Sequence, residues 1–258
     1  MKVKVLASGS RGNATLLWAG GATILIDAGL PIRDLVGRLE GAGVGFKGLD
    51  HLFVSHGHLD HSRSAGILAK RHSAVLHCPE AIQTHRAVAR ARDKRVLCET
   101  RPTVISLPNG EELTVACIRV PHDCDPTLAF RFEHQGRVMV YLTDMGAPRE
   151  SVGKALEGAH ALLIEANHDV ELLHSGPYPS TLKSRVLGEG GHLSNDQMQV
   201  MLARLQSPGL HTVILMHLSE TNNRPELARE AAVAALRSPD AVKVEVATQG
   251  SPLEVSPV

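Results

Sequence analysis

Three histidines and one aspartate fill the six residues His56-Gly57-His58-Leu59-Asp60-His61, directly behind the short β-rich run His51 to Ser55. An extended backbone puts positions two apart on the same side, so His56 and His58 can grip one cation together. Asp60 and His61 are adjacent, and if the chain turns into a helix there they diverge toward a second cation close by. Imidazole nitrogen and carboxylate oxygen suit borderline or harder divalent metals. A polar surface turn is the competing reading. With 15 His and 11 Asp in 258 residues, however, HxHxDH arises by accident about 0.002 times per chain. The fold is therefore expected to bring further donors to this segment.

Short β-rich runs alternate with helical patterns almost throughout, which predicts an α/β chain. Strands are expected at Val3 to Leu6, Thr15 to Trp18, Ala22 to Ile26, His51 to Ser55 and Ala74 to Cys78. A meander follows at Thr103 to Leu107, Leu113 to Val120, Leu128 to Glu133 and Arg137 to Leu142, then strands at Ala161 to Glu165, Thr212 to Met216 and Val242 to Val246. Helices are expected after Pro31, at Ser64 to His72, Pro79 to Asp93, Ser180 to Leu187, Ser194 to Leu205 and Pro225 to Arg237, with Ser194 and Gln197 spaced as a capping box. A strand ends in Asp-x-Gly twice, at Asp27-Ala28-Gly29 and Asp144-Met145-Gly146, an echo that could mark two similar halves.

Four residues cannot complete two metal sites, and further donors stand where strands end. His122 follows Val120, Asp144 follows Leu142, and His217 follows Met216. A carboxylate such as Asp144 can bridge two ions at the roughly 3.5–4 Å separation of two-metal hydrolysis. HGHLDH at 56 to 61, IDAG at 26 to 29, the single His122, TDMG at 143 to 146 and the late His217 resemble the five ordered motifs of the metallo-β-lactamase fold over nearly the whole chain. The resemblance implies a four-layer αββα sandwich, a single domain over residues 1–258, with two metals at one edge. It implies His56, His58 and His122 on the first ion, Asp60, His61 and His217 on the second, and Asp144 on both. Asp27 would orient the ligand loop through hydrogen bonds.

SGSRGNAT at 8 to 15, LIEANHD at 163 to 169, GPYP at 176 to 179, GHLSN at 191 to 195 and HLSETNN at 217 to 223 resemble the YycJ-like, or WalJ, group, which is associated with cytoplasmic 5′ to 3′ DNA exonuclease activity. Arg11 departs from the small residue usual in SGSxGN, and Cys124 from the Ala common after HD. The implied function is a two-metal phosphodiesterase attacking DNA 5′ ends with a metal-bridging hydroxide, with manganese or zinc as cofactor. Hydrolysis then needs a proton for the departing alkoxide. His192 is the expected donor, because imidazole titrates near working pH and related phosphodiesterases place a histidine there. Glu165 would raise its pKa, and His168 is a second candidate for the same proton path. Backbone amides of a Gly-rich turn can cradle a phosphate, which points to Ser10, Gly12 and Asn13 as substrate contacts.

Composition narrows the rest. Twenty-seven basic residues cancel 27 acidic ones, so a globally basic nucleic-acid coat is excluded and any anion must be attracted locally. Seven aromatics in 258 residues disfavour extended base-stacking platforms. Arg86, Arg90, Arg92, Lys94 and Arg95 gather in the run 85–95 against Asp93, either as a solvated helix face or as a track for a phosphate backbone. Four cysteines without CxxC spacing and no apolar leader or membrane-length run predict a soluble cytoplasmic protein with reduced thiols. Two alternatives stand beside the nuclease: a small-molecule metallohydrolase acting on cyclic phosphodiesters, thioesters or lactones, and a non-catalytic, metal-stabilised nucleic-acid-binding protein. The sequence leaves oligomeric state, strand preference and metal identity open.

Overall fold

A computed structural model describes residues 1–205 and 207–255. The first half runs β1 (Lys2–Ala7), β2 (Ala14–Ala19), β3 (Ala22–Ile26), α1 (Ile32–Gly41), β4 (His51–Phe53), α2 (Leu59–Ser62), α3 (Ala65–His72), β5 (Val75–Pro79) and β6 (Lys94–Leu97). The second runs β7 (Thr103–Ser106), β8 (Glu112–Val120), β9 (Thr127–His134), β10 (Arg137–Leu142), α4 (Glu150–Leu156), β11 (Ala161–Glu165), α5 (Val170–Ser175), α6 (Ser180–Leu187), α7 (Asn195–Arg204), β12 (Thr212–Met216), α8 (Pro225–Ala235) and β13 (Lys243–Val246). β14 (Leu253–Val255) returns to pair with β1.

The strands form two seven-stranded sheets in the orders β14-β1-β2-β3-β4-β5-β6 and β13-β12-β11-β10-β9-β8-β7. Three apolar cores separate four layers. Val5, Leu17, Phe53, Phe130, Tyr141 and Ile214 fill the space between the sheets. Leu35 and Leu39 of α1 and Leu68 of α3 cover the outer face of the first sheet, and Val152, Met198, Leu202 and Ala228 cover the second. This is the expected αββα sandwich: each sheet buries one face on its twin and the other under helices. Among the described residues no helix is long and apolar enough to cross a membrane.

The Asp-x-Gly echo marks a real correspondence. β3 pairs antiparallel with β2 and parallel with β4, and β10 pairs antiparallel with β9 and parallel with β11. Each Asp follows the strand on which its sheet changes from antiparallel to parallel. Asp27 and Asp144 both take left-handed backbone there, at φ 60° and 55°. Each following glycine lies against another backbone. A Cβ on Gly29 would fall 1.6 Å from the Asp60 carbonyl oxygen, and one on Gly146 would fall 2.1 Å from that of Glu189.

The expected helix over 79–93 does not form. A 3₁₀ turn at Glu80–Ile82 leads into successive turns in which His85, Val88 and Ala91 donate to the carbonyls of Ile82, His85 and Val88. Beyond Pro79, only Ile82, Val88 and Ala91 are buried apolar side chains in this stretch, six and three residues apart, too sparse a stripe to hold a long helix on the sheet. The charged residues that follow form the edge strand β6, where exposed Arg95 discourages pairing with another chain. α4, α5 and β14, each seven residues or shorter, were not foreseen. The Ser194 capping box is present, with the Gln197 amide donating to Ser194 Oγ at 3.1 Å and the Ser194 amide to Gln197 Oε1 at 2.9 Å.

Candidate metal centre

β4 ends at Phe53, and after Val54 and Ser55 the chain delivers His56 and His58 at the sheet edge before winding into α2. Backbone bonds fix this turn: the Asn13 amide donates to the Asp60 carbonyl at 2.8 Å and the Ala28 amide to the His61 carbonyl at 2.7 Å. Gly29 is what permits that approach. The loops after β8, β10 and β12 bring His122, Asp144 and His217 to the same edge. His217 shares the left-handed backbone of Asp27 and Asp144, at φ 55°, and its amide donates to Ser8 Oγ at 2.7 Å.

All seven expected ligands meet. Their donor atoms fall into overlapping groups, each within 4.8 Å: His56, His58 and His122; Asp60, His61 and His217; and His56, His61 and Asp144. A fourth group joins Asp144 and His217 to Glu165 and His192. The first two groups coincide with the division that the family resemblance implies, and Asp144 belongs to groups on both sides.

The donor chemistry fits divalent cations. His61 Nδ1 donates to Asp27 Oδ2 at 2.7 Å, so in its neutral form Nε2 turns a lone pair toward Asp144 Oδ2 at 2.8 Å. His122 Nδ1 donates to the Gly191 carbonyl at 3.0 Å, which leaves its Nε2 facing His58 Nδ1 at 3.3 Å. Acceptors that face each other call for a proton or a metal between them. His56 Nε2, Asp144 Oδ2 and His217 Nε2 are buried and make no hydrogen bond. Without a cation, protons take that place: burial opposes it, but Asp144 and Asp27 raise the His61 pKa, and Asp144, Asp60 and Glu165 raise that of His217 to about 10. His56 goes the other way, kept neutral chiefly by burial. No thiol enters these groups, and an all-N/O set accepts zinc, manganese or iron.

Around the donors stands a layer of orienting groups. Asp27, fully buried, accepts from the Ser55 amide at 2.8 Å, Ser55 Oγ at 2.9 Å, His61 Nδ1 and Tyr141 Oη at 3.1 Å. Asp27→Ala is expected to destabilise the protein by about 3–5 kcal/mol, since it strands several buried donors. Tyr141→Phe removes one hydrogen bond to that carboxylate and about 2 kcal/mol. Urea unfolding of both variants checks this, and equal losses would show that Asp27 does not hold the network.

Glu165 accepts from the Met145 amide at 2.8 Å and the Leu193 amide at 3.3 Å, and from His192 Nδ1 at 2.7 Å and His217 Nδ1 at 3.3 Å. Burial pushes its pKa up, but the His192 and His217 partners outweigh this and hold it at about 2. His192 in turn is raised above its ordinary value, because Glu165 and Asp144 outweigh the cost of burial. Its Nδ1 lies 3.4 Å from Asp144 Oδ1.

Two expectations need correction. His168 is buried, neither ring nitrogen has a hydrogen-bond partner, and burial lowers its pKa to about 4. No hydrogen bond joins its ring to Glu165 or His192, although both charges act on it; its backbone bridges to Ser194 and accepts from Asn195, joining the loops that carry those two residues. The 9–13 loop is no open phosphate cradle. The amides of Gly9, Arg11, Gly12 and Asn13 donate to Asn13 Oδ1, Gln249 Oε1, Gly9 O and Asp60 O, and Asn13 Nδ2 lies 3.0 Å from His61 Nε2. Gly12 and Asn13 support the ligand turn, and only Ser10 of the three remains exposed.

The sequence reading missed Asp123 and Arg185. Asp123 Oδ1 lies 3.4 Å from both His58 Nε2 and His122 Nε2, and Arg185 of α6 clasps its other oxygen at 2.6 and 2.7 Å. That Asp123 follows His122 was the only local signal. The Asn-rich segments also brace the loops behind the ligands. Asn167 Nδ2 donates to the His217 carbonyl at 2.8 Å, and Asn223 Nδ2 to Ala166 O and Asn195 Oδ1, both at 2.9 Å.

Comparison with known proteins agrees with this geometry. The profile of the Beta-lactamase superfamily domain matches residues 22–218. The exodeoxyribonuclease WalJ of Streptococcus pneumoniae is 31% identical over 242 residues, 93% of this chain and 89% of that protein. The exodeoxyribonuclease YycJ of Bacillus anthracis is 28% identical over 228 residues, 87% and 85% of the two chains. Among solved structures, the metallo-β-lactamase fold protein YhfI of Bacillus subtilis superposes with a TM-score of 0.72 at 19% identity, covering 99% of this chain and 100% of its own.

Proposed function

We propose, from the premise that this chain belongs to the metallo-β-lactamase superfamily, that it is a two-cation phosphodiesterase acting as a 5′ to 3′ DNA exonuclease. The observation that carries the reading is the Glu165–His192 pair: a raised-pKa imidazole beside Asp144, where a phosphodiester needs a proton donor. The exodeoxyribonuclease relatives support DNA as substrate. His56, His58 and His122 would hold one cation, Asp60, His61 and His217 the other, with Asp144 shared; manganese and zinc both suit these donors. When bound, the pair supplies Lewis acidity to the phosphate and lowers the pKa of the attacking water.

The protein's own groups do the rest. Asp27 fixes the His61 ring with Nε2 toward the centre, and the Gly191 carbonyl does the same for His122. Asp123, held by Arg185, orients His58 with Nδ1 inward. Glu165 anchors His192 by Nδ1 and keeps it protonated, so that Nε2 can deliver the proton to the 3′ oxygen of the departing terminal nucleotide. Ser10, exposed in the 9–13 loop, is the one of Ser10, Gly12 and Asn13 left to meet substrate.

Metal-loaded protein given 5′-phosphorylated DNA and a thioester side by side is expected to release 5′-mononucleotides and to leave the thioester intact. Thioester turnover with untouched DNA would establish the small-molecule hydrolase instead.

A further inference from the structure

Beside the metal centre lies a groove of about 810 Å³ whose walls include His58, Leu59, Arg63, His85, Arg86 and Arg90, with no carboxylate among its lining residues. His58 also belongs to the His56, His58 and His122 group, so the groove starts at the centre itself. Arg63, Arg86 and Arg90 are exposed, and among the described residues their guanidinium groups make no ion pair or hydrogen bond. Four other exposed arginines are each paired with a carboxylate, Arg95 with Asp93, Arg119 with Asp125, Arg149 with Glu189 and Arg185 with Asp123, whereas this groove gathers three unpaired ones on one wall. In a chain of zero net charge, three unneutralised cations along one groove form a local anion-attracting field.

Two separate stretches of chain build this groove. Arg63 stands between α2 and α3, whereas Arg86 and Arg90 belong to the turns after β5. The Gly66 amide of α3 donates to the Ala87 carbonyl at 2.8 Å, and a Cβ on Gly66 would fall 2.7 Å from that oxygen. The absence of a side chain at Gly66 lets the turns lie on α3 and brings the three arginines onto one surface. Leu59 is 50% and Ile67 37% exposed in the same groove, apolar surface of the kind a sugar or base covers. Arg92 does not line it, and Arg95 lines a different cavity with His51 and His77.

We infer that this groove seats the phosphate backbone of the DNA strand on the 3′ side of the scissile linkage, with Arg63, Arg86 and Arg90 each facing a phosphate. The inference rests on the nuclease reading and deepens it. A small anion is a poorer fit, because pockets for small ligands bury most of the ligand surface, whereas these cations lie exposed along an extended wall. The basic run read from the sequence therefore divides: Arg86 and Arg90 serve the substrate, and Arg92 and Arg95 do not.

The test is the salt dependence of binding by the metal-loaded protein. The probe is a fluorescent 5′-phosphorylated single-stranded DNA of about a dozen nucleotides with phosphorothioate linkages that resist cleavage. Each phosphate contact on a single strand contributes about 0.7 to the slope of log affinity against log salt. The triple variant Arg63→Ala, Arg86→Ala, Arg90→Ala is expected to flatten that slope by about 2 and to bind more weakly at low salt. Lysine at the same three positions keeps the slope, and Arg92→Ala with Arg95→Ala leaves it unchanged. A triple variant with the native slope, or a control pair that flattens it equally, overturns the groove. Native protein that neither binds nor cleaves DNA would remove the nuclease reading itself, a distinct failure.

Discussion

Alanine in place of Asp60 is expected to cut DNA hydrolysis by about 10³-fold or more, because losing one cation forfeits several kcal/mol of charge stabilisation in the transition state. Asp60 Oδ2 stands 3.5 Å from His217 Nε2 and 3.7 Å from His61 Nε2, the two imidazoles of its group. Burial would raise its pKa, but the His217 and His61 partners hold the carboxyl well below the usual range, so it is ionised wherever the protein works. Its side chain is 23% exposed at the mouth of the site and no core packing depends on it. The variant is therefore expected to melt near the native temperature and to bind one ion per chain instead of two. Native rates from it would remove the two-cation centre.

Loss of the proton donor comes second in size. His192→Ala is expected to slow DNA cleavage by about 10²–10⁴-fold, and to slow a p-nitrophenyl phosphodiester far less, because p-nitrophenolate departs without a proton. Equal losses on both substrates would strip His192 of this role. Its pH behaviour has a definite sign. A donor with raised pKa stays protonated above the ordinary 6.5, and the rate falls only as pH rises through the raised value. Glu165→Gln removes the main charge that raises it, so the alkaline fall should move to lower pH while Gln keeps the shape of the site. An unmoved alkaline limb would show that Glu165 does not tune His192.

What the sequence made legible was whatever chemistry is local or strand-terminal. His56, His58, Asp60 and His61 could be read because extended backbone followed by one helical turn fixes where adjacent side chains point. His122, Asp144 and His217 could be read because loops at strand ends converge on one edge of a sandwich. Arg185 could not, since its partner Asp123 lies 62 residues away and no periodicity relates them. The 79–93 segment was misread because Pro79 suits a helix start, while turn hydrogen bonds and the contact at Gly66 decided its path. Asn13 was read as a phosphate contact from its Gly-rich setting, yet burial commits its side chain to the ligand turn. A Gly-rich loop and a scaffold loop have the same composition; only the fate of their amides separates them.

Asp27, Asp144 and His217 share one backbone peculiarity, and it bears on how this centre arose and persists. A residue with a Cβ pays about 1–2 kcal/mol for the left-handed conformation that glycine adopts freely. A chain shaped for durability alone would carry glycine at all three corners. Lys47, Ser73 and Gln135 take the same backbone at ordinary turns, so the conformation alone marks no function; at Asp27, Asp144 and His217 it is the buried carboxylates and imidazole, held where glycine would relieve the strain, that trade robustness for reactivity.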